Sequence, residues 1–214
     1  MAKKNIAALF DLDGVIIDTE TQYTELWSQI GQKFYPETAD FAYKVKGQTL
    51  NVILKEYFPD PSIHEDLLQK LADFESSMTY EYIAGVIPFL QELKRNDIKI
   101  AVVTSSNQKK MNRVYAAHPE FTTYFDRILT AEMFTNSKPE PDCYLLGSEI
   151  FNTPVKQCFV FEDSINGLKA GKAAGMKVVG LSTTNPPELI SHLSDIIIPD
   201  FEHYTIERML DLLS

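Results

Sequence analysis

The sequence predicts an α/β fold in which a mostly parallel sheet is interrupted, after its first strand, by a helical insertion. Short apolar runs recur along the chain with helical patterns between them, which is typical of buried strands in a parallel sheet. The alternation breaks once, because residues 16–84 contain amphipathic helical patterns and no convincing strand. We therefore expect a core of residues 1–15 and 85–214 and a helical module of residues 16–84.

The predicted strands are runs of three to six mostly apolar residues, rich in Ile, Val and Phe. These residue types favour strands, and runs this short and this apolar indicate strands that are buried on both faces. In chain order the predicted strands are Ile6–Phe10, Ile98–Val103, Cys158–Phe161, Met176–Leu181 and Ile196–Ile198.

Two helices are predicted in the inserted module from apolar residues at helical spacing. The first begins at Thr19, where Gln22 three residues later completes a capping-box pattern. The residues that the two helices would bury are Tyr23, Leu26, Trp27, Ile30 and Phe34 in the first and Leu67, Leu68, Leu71, Phe74 and Met78 in the second.

Two further helices are predicted in the core, each beginning at a proline. Proline is favoured in the first turn of a helix, and Pro88 and Pro141 both precede apolar residues at helical spacing. The residues that these helices would bury are Leu90 and Leu93 in the first and Tyr144, Leu145 and Ile150 in the second.

Composition and charge restrict the class of partner. Hydrophobic residues make up 44% and charged residues 23% of the 214 residues, as in an ordinary globular protein. The net charge of −10 would repel nucleic acid phosphates and anionic membrane surfaces. The module of residues 16–84 is the most acidic part, with five Lys, no Arg and twelve Asp or Glu. We expect a monomer that binds a small metabolite and binds neither nucleic acid nor a membrane.

The amino terminus and the cysteines indicate the compartment. Met1–Lys4 is basic, like the start of a signal peptide, but the apolar run that follows is too short for a signal or a membrane span. Cys143 and Cys158 are too few for a disulfide framework and lack zinc-site spacing. We expect a cytoplasmic protein with two reduced thiols.

Polar residues of complementary kinds follow several of the predicted strands. Asp11 and Asp13 follow the first strand, at the edge of a parallel sheet where ligands bind. If the strands are parallel and adjacent, the other polar segments meet them there. Those segments are Thr104-Ser105-Ser106, Lys138-Pro139 and Glu162-Asp163.

Such a cluster suits phosphoryl transfer with magnesium. It would bring together several carboxylates, a hydroxyl and an ammonium group. Mg²⁺ prefers oxygen ligands and keeps positions for water and a phosphate oxygen. A lysine and the metal would neutralise charge on the transferring phosphoryl group, where positioning and electrostatics contribute most of the catalysis.

Four segments in this order resemble the motifs of the haloacid dehalogenase superfamily, and the resemblance spans essentially the whole chain. The fourth segment, within residues 161–167, is similar to the phosphatase and β-phosphoglucomutase branch. The resemblance implies a Rossmann-like parallel-sheet core with an inserted all-α cap domain. The segments are Asp11-Leu12-Asp13-Gly14-Val15, Thr104-Ser105, Lys138-Pro139-Glu140-Pro141-Asp142 and Glu162-Asp163-Ser164.

The resemblance also implies catalytic roles for individual residues. Asp11 matches the nucleophile that forms an aspartyl-phosphate, and Asp13 matches the general acid and base. Thr104 matches the hydroxyl that holds a phosphoryl oxygen, with Ser105, Ser106 or Asn107 in support. Lys138 matches the lysine that pairs with phosphate and orients the nucleophile. The implied ligands of Mg²⁺ are Asp163, Glu162, Asp11 and the main-chain oxygen of Asp13.

Phosphatases and phosphomutases of this branch differ in the cap. β-Phosphoglucomutases carry a His where this chain has Tyr23, and an Arg shortly after a Lys-Gly pair, where this chain has Gln48 after Lys46-Gly47. Both departures favour a phosphatase over a mutase, with a sugar phosphate or a similar small phosphomonoester as substrate. We expect Lys46, Gly47 and Gln48, with Lys44 as a further candidate, to form the cap loop that faces the substrate.

Two readings from another class remain open: a receiver-like phosphorylation switch and a non-catalytic protein that binds a phosphorylated ligand. A receiver domain has no large insertion after its first strand, which argues against the first. Asp11 and Asp13 are both present, which argues against the second.

Overall fold

A six-stranded parallel sheet forms the centre of the structure, a computed structural model that describes residues 5–214. The basic segment Met1–Lys4 lies outside the described residues. The strands are β1 (Ala7–Phe10), β2 (Lys99–Val103), β3 (Arg127–Leu129), β4 (Cys158–Glu162), β5 (Lys177–Leu181) and β6 (Ile196–Ile198). Their order across the sheet is β3-β2-β1-β4-β5-β6, so β1 lies between β2 and β4.

Of the ten α-helices within residues 5–214, five lie between β1 and β2, and the first four of these form the helical insertion. The first four are α1 (Glu20–Phe34), α2 (Phe41–Val45), α3 (Leu50–Tyr57) and α4 (His64–Ser77). The remaining helices are α5 (Val86–Arg95), α6 (Gln108–Ala117), α7 (Asp142–Ile150), α8 (Ile165–Ala173), α9 (Pro187–Ile190) and α10 (Ile206–Leu210). Within residues 5–214, every helix is too short or too polar to span a bilayer.

Helices cover both faces of the sheet because successive side chains of a strand point to opposite faces. On one face Phe10 stacks on Phe161 with 4.2 Å between ring centroids, and this face packs against α5, α6 and α10. On the other face Leu9 and Val160 pack with buried residues of α7 and α8. The parallel sheet and the surrounding helices confirm the predicted α/β class.

The helices α1–α4 bury a separate apolar cluster. Trp27 and Ile30 of α1 pack there with Phe41 of α2 and Leu71 of α4. Tyr35 stacks on Phe41 with ring centroids 4.8 Å apart. A core of its own supports the proposal that residues 16–84 form a cap domain.

Five of the strands begin and end within one residue of their predicted bounds. The strand β3 was not predicted. It has three residues at the edge of the sheet, and its Arg127 is exposed while Ile128 is half-buried. A short edge strand with one polar residue lacks the apolar run on which the prediction depends.

The predicted capping box of α1 is wrong. Thr19 does occupy the N-cap position, but its side chain makes no capping hydrogen bond. Its hydroxyl donates instead to Asp13, and the Gln22 side chain bonds to Thr79. The competing partners belong to distant or non-helical segments, which a local pattern cannot reveal.

Some predicted helix starts and buried positions also differ. The helix α5 starts at Val86, so Pro88 is its third residue, whereas Pro141 lies directly before α7. Met78 is buried but lies just beyond the end of α4. Three residues predicted to be buried are exposed because they lie at the margins of their apolar stripes: Leu68, Leu145 and Ile150.

Candidate active site

The carboxyl ends of three adjacent strands bring the predicted site residues together. In the sheet register Phe10 of β1 lies beside Val102 of β2 and Phe161 of β4. The residues that follow these strands therefore lie side by side at the same edge of the sheet. Asp11, Asp13, Thr104 and Asp163 line one cavity of about 320 Å³ between this edge and the helices α1–α4.

Lys138 lies beneath this cavity and links two carboxylates. Its Nζ donates to Asp11 Oδ1 and to Glu162 Oε1, both at 2.6 Å, and to the Val103 carbonyl oxygen at 3.2 Å. Burial disfavours the charged amine, but the carboxylates of Asp11 and Glu162 outweigh burial and raise the pKa of Lys138. Lys138 is therefore a permanent cation beside Asp11.

Glu162 is fully buried and both of its oxygens already accept hydrogen bonds. Oε1 accepts from Lys138 and from the Tyr144 hydroxyl at 2.9 Å. Oε2 accepts from the main-chain nitrogens of Asp163 and Ser164 and from the Ser164 hydroxyl, at 3.0 to 3.1 Å. These five donors hold Glu162 in place, and its assignment as a metal ligand stays a prediction.

Asp163 offers an oxygen for a cation. It is 1% exposed, and its Oδ2 accepts no hydrogen bond from any residue between 5 and 214. Burial, with repulsion from Glu20 and Glu162, raises the pKa of Asp163 well above its usual range. Carboxylate oxygens of Asp11, Glu162 and Asp163 lie within 4.8 Å of one another. A buried carboxylate oxygen without a donor is unfavourable unless a cation binds it.

The charges of the site do not balance without a cation. Three lysines pair with carboxylates there: Lys138 with Asp11 and Glu162, Lys110 with Asp13, and Lys46 with Glu20. With Asp163 the five carboxylates exceed the three ammonium groups by two negative charges. Burial raises the pKa of Asp11 to about 8, although Lys138 opposes this shift. A divalent cation would restore the balance.

Asp13 is held by three donors. Its Oδ1 accepts from the Thr19 hydroxyl and from Lys110 Nζ at 2.5 Å, and its Oδ2 accepts from the Ser106 hydroxyl at 3.0 Å. Lys110 is 3% exposed, and its Nζ also lies 4.3 Å from the centroid of the Tyr23 ring. The proposed acid and base therefore has a fixed position on the wall of the cavity.

The residues after β2 line the cavity as predicted, but their side chains bond mostly to the protein. Thr104 Oγ1 accepts from the Ser106 main-chain nitrogen at 3.0 Å, which leaves the hydroxyl proton available. Ser105 donates to the Gly47 carbonyl at 3.0 Å. The side chain of Asn107 caps α6 by accepting from the main-chain nitrogen of Lys110. Thr104 thus remains the best placed of these residues to donate to a ligand.

The predicted cap loop also lines the cavity, with Lys46, Gly47 and Gln48. Lys46 Nζ lies 2.9 Å from Glu20 Oε2, and the Lys46 carbonyl accepts from the Asn166 side chain at 2.7 Å. Gln48 Oε1 is buried and accepts no hydrogen bond within residues 5–214. Lys44 is exposed and does not line the cavity.

The far wall of the cavity is formed by the helices of the insertion. Tyr23 and Trp27 of α1 and Glu75 of α4 line it. The Tyr23 hydroxyl donates to Glu75 Oε1 at 3.1 Å, and Arg113 of α6 pairs with the same carboxylate. Burial, with repulsion from Asp13 and Glu75, raises the pKa of Tyr23 well above its usual range, so the phenol stays protonated.

Sequence reasoning missed three residues of the site. Thr19 and Lys110 contact Asp13, and Glu20 pairs with Lys46. A signal for Lys110 was present: it lies four residues before Val114 and next to Met111, on the buried side of α6. A lysine among buried positions of a helix indicates a buried partner of opposite charge. Thr19 and Glu20 carried no comparable signal.

A family model described as haloacid dehalogenase-like hydrolase matches residues 8–181 of the chain. A probable pseudouridine-5'-phosphatase of Saccharomyces cerevisiae is 33% identical over 192 residues, which cover 81% of this chain and 80% of the relative. The phosphorylated carbohydrates phosphatase of Thermotoga maritima is 29% identical over 180 residues, covering 80% of this chain and 82% of the relative.

Two further comparisons concern length and fold. Protein SUPPRESSOR OF QUENCHING 1, chloroplastic, of Arabidopsis thaliana is 29% identical over 207 residues, 91% of this chain but only 19% of that relative's length. The crystal structure of a HAD hydrolase of family IA, variant 3, from Entamoeba histolytica matches with a TM-score of 0.81 at 24% identity. That match covers 97% of this chain and 99% of the other and indicates a common fold.

Proposed function

The chain belongs to the haloacid dehalogenase-like hydrolases, as its motifs predict, and we propose that it is a magnesium-dependent phosphatase of a small phosphomonoester. The observation that carries this proposal is the pairing of Asp11 with the buried Lys138, beneath a cavity that Asp11 lines together with Thr104 and Asp163. Phosphatase is also the activity named for the relatives from yeast and from Thermotoga.

In the first half of the reaction, Asp11 acts as the nucleophile. One of its carboxylate oxygens forms a bond to phosphorus while the bond from phosphorus to the leaving oxygen breaks. The leaving oxygen takes a proton from Asp13. The Thr104 hydroxyl donates to a phosphoryl oxygen, and the buried Lys138 ammonium holds Asp11 and offsets negative charge as it develops. The products are an aspartyl-phosphate and a free alcohol.

In the second half, water replaces the alcohol. Asp13, now ionised, takes a proton from the water, and the water oxygen forms a bond to phosphorus. The bond from phosphorus to Asp11 breaks and releases phosphate. The Asp13 side chain therefore gives a proton as a carboxylic acid in the first step and recovers it as a carboxylate in the second, and the protein returns to its starting state.

Mg²⁺ fits the site because the carboxylates carry two more negative charges than the lysines can balance, and because Asp163 Oδ2 has no donor in residues 5–214. The residues that would hold it are Asp11, Asp163 and the main-chain oxygen of Asp13. When bound, the ion neutralises charge on the phosphoryl group. Glu162 instead holds Lys138 in place, since its oxygens already have five donors.

The substrate is a sugar phosphate or a similar metabolite with a small leaving group. A cavity of about 320 Å³ is of the size that holds one small molecule. The aromatic rings of Tyr23 and Trp27 offer a flat apolar surface to a sugar-like ring. The Thermotoga relative, a phosphorylated carbohydrates phosphatase, supports the same substrate class.

The test is a panel of phosphorylated metabolites assayed for phosphate release with Mg²⁺, with the Asp11→Asn variant beside the wild type. We expect at least one sugar phosphate to be hydrolysed and Asp11→Asn to lose the activity by several orders of magnitude. Phosphate release that survives in Asp11→Asn would contradict the nucleophile assignment. Conversion of glucose 1-phosphate to glucose 6-phosphate would indicate a mutase instead.

A further inference from the structure

We propose that Lys110 is a positioning residue for Asp13, so that the α6 helix sets the geometry of proton transfer to the leaving group. This inference rests on the proposed function, in which Asp13 is the acid and base. Lys110 lies outside the family motifs quoted above, and its side chain reaches Asp13 from 97 residues further along the chain.

The contacts of Lys110 leave it few other roles. Its side chain is 4% exposed, its Nζ lies 2.5 Å from Asp13 Oδ1, and the Tyr23 ring covers it at 4.3 Å. Burying an ammonium group is costly unless it is paired, so the pair with Asp13 keeps both charges in a defined place. Removing one partner would leave the other charge buried and free to reorient.

The donors also distinguish the two oxygens of Asp13. Among residues 5–214, Oδ1 accepts from both Thr19 and Lys110, whereas Oδ2 accepts only from the Ser106 hydroxyl. Two donors fix Oδ1 against the wall of the cavity. Oδ2 is left as the oxygen that can exchange its one hydroxyl partner for the oxygen of a leaving group. Lys110 thereby determines which oxygen of Asp13 faces the substrate.

The segment between β2 and α6 connects Lys110 to the proposed phosphate site. Thr104 follows β2, and Asn107 caps α6 by accepting from the main-chain nitrogen of Lys110 at 2.9 Å. Thr104, proposed to hold the phosphoryl oxygen, and Lys110, proposed to hold Asp13, are thus six positions apart on the segment that joins β2 to α6. A positioning residue on a helix is more precise than one on a mobile loop.

The experiment compares two substrates that differ in their need for a proton. The leaving group of 4-nitrophenyl phosphate is a stable anion, whereas that of glycerol 3-phosphate is an alkoxide that needs general acid catalysis. The quantity measured is kcat/KM, which covers the steps up to release of the leaving group. The variants are Lys110→Met, Lys110→Arg and Asp13→Asn, with Lys109→Met as the control, since Lys109 is the exposed neighbour on the same helix.

We expect Lys110→Met to lower kcat/KM for glycerol 3-phosphate by about a hundredfold, and for 4-nitrophenyl phosphate by less than about threefold, because general acid catalysis is worth about a hundredfold or more. Asp13→Asn should show the same dependence of kcat/KM on the leaving group. Lys110→Arg should recover most of the kcat/KM lost in Lys110→Met, and Lys109→Met should have the kcat/KM of the wild type. The double variant, Lys110→Met with Asp13→Asn, should have a kcat/KM no lower than that of Asp13→Asn alone, because the two residues act as one unit.

Equal losses for both substrates in Lys110→Met would mean that Lys110 only supports the fold or binds substrate, and would overturn the inference. No loss in Lys110→Met, with a leaving-group dependence in Asp13→Asn, would also overturn it and would leave the proposed function intact. If the wild type releases no phosphate from any substrate with Mg²⁺, the proposed function and the inference fail together. Thermal unfolding of each variant identifies any that does not fold. If Lys110→Met does not fold, recovery of kcat/KM in Lys110→Arg tests the inference instead.

Discussion

Individual residues of the site combine burial with charge, and Asp163 does so most clearly. It is 1% exposed, and its Oδ2 accepts no hydrogen bond from the described part of the chain. A buried carboxylate of this kind destabilises the folded state unless a cation binds it. Its arrangement therefore favours the proposal that a cation binds Asp163 in the folded chain.

This arrangement predicts that Mg²⁺ stabilises the wild type and does not stabilise Asp163→Asn. At a Mg²⁺ concentration of one hundred times Kd, binding adds about 2.7 kcal/mol to the free energy of unfolding. For a chain of 214 residues this raises Tm by about 5–10 °C. Without Mg²⁺, Asp163→Asn should have the higher Tm of the two, because it removes one of several buried carboxylates that repel each other.

Thermal unfolding with Mg²⁺ or with EDTA measures both effects. Asp66→Asn is the control, because Asp66 is an exposed carboxylate on α4 and its removal changes the net charge equally. It should keep the Mg²⁺ shift of the wild type. An Asp163→Asn variant that Mg²⁺ stabilises as strongly as the wild type would show that Asp163 is not a ligand.

The residues proposed as catalytic could be found from sequence because each follows a strand or lies in a short motif. Asp11 and Thr104 directly follow buried strands, so the parallel sheet alone brings them to one edge. Lys110 and Glu20 could not be predicted in this way. Their roles depend on which helix faces turn toward the cavity, and this is decided by packing between segments far apart in the chain.

At the level of elements, the loop between α2 and α3 connects the helical insertion to the core. The Gly47 carbonyl accepts from Ser105, the Lys46 carbonyl accepts from Asn166, and the Thr49 main-chain nitrogen donates to Ser137. Three bonds between main-chain groups of this loop and side chains of the core hold the loop across the cavity. The loop therefore forms a wall of the cavity that is fixed to the core.

Gly47 permits this close approach, and we predict that Gly47→Ala raises KM about tenfold. Its φ of 76° is unfavourable for residues with a Cβ by about 1–2 kcal/mol, and a Cβ would also contact the Ser164 hydroxyl. A cost of this size is about a factor of ten in binding. This free energy would be lost whenever the loop takes up its position beside the cavity, so we expect KM to rise while the core of the fold is unaffected.

The control is Gly175→Ala. Gly175 has a similar φ of 72°, but its Cβ would meet only the Lys156 ammonium at 3.8 Å. It lies between α8 and β5, at the edge of the sheet opposite the cavity. We expect Gly175→Ala to lower the free energy of unfolding by a similar amount and to leave KM unchanged. If the two variants raise KM equally, the effect comes from general loosening of the protein and not from the loop.

Some elements could be predicted and others could not. The runs that became β1, β2, β4 and β5 are apolar because those strands are buried between two layers of helices, whereas the three isoleucines of β6, at the edge opposite β3, include only one that is buried. The strand β3 lies at the edge and needs no such run. The start of α5 at Val86 was missed because the helix begins after Gly85, whose positive φ no local helix signal indicates. The proposed division of the chain into a core and a cap domain of residues 16–84 depends on the same hydrophobic patterns and stays a prediction.

For the molecule as a whole, charge determines which substrates can enter. The chain carries a net charge of −10, and the helical insertion has twelve acidic residues against five lysines. The cations around the cavity are each paired with a carboxylate: Lys46 with Glu20, Lys110 with Asp13, Arg113 with Glu75, and Lys138 with Asp11 and Glu162. A second anionic group on the substrate would therefore find no free partner among these cations.

We therefore predict that the enzyme hydrolyses glycerol 3-phosphate with a kcat/KM about a hundredfold higher than 3-phosphoglycerate, which differs by a carboxylate. At an effective dielectric constant of 20, one unbalanced negative charge about 6 Å away costs about 3 kcal/mol, which corresponds to this factor. Glu132→Gln should reduce the difference, because the Glu132 carboxylate lines the cavity, where its side chain accepts from the main-chain nitrogen of Gln108. Equal kcat/KM values for the two substrates in the wild type would show that a cation leaves its partner to bind the carboxylate.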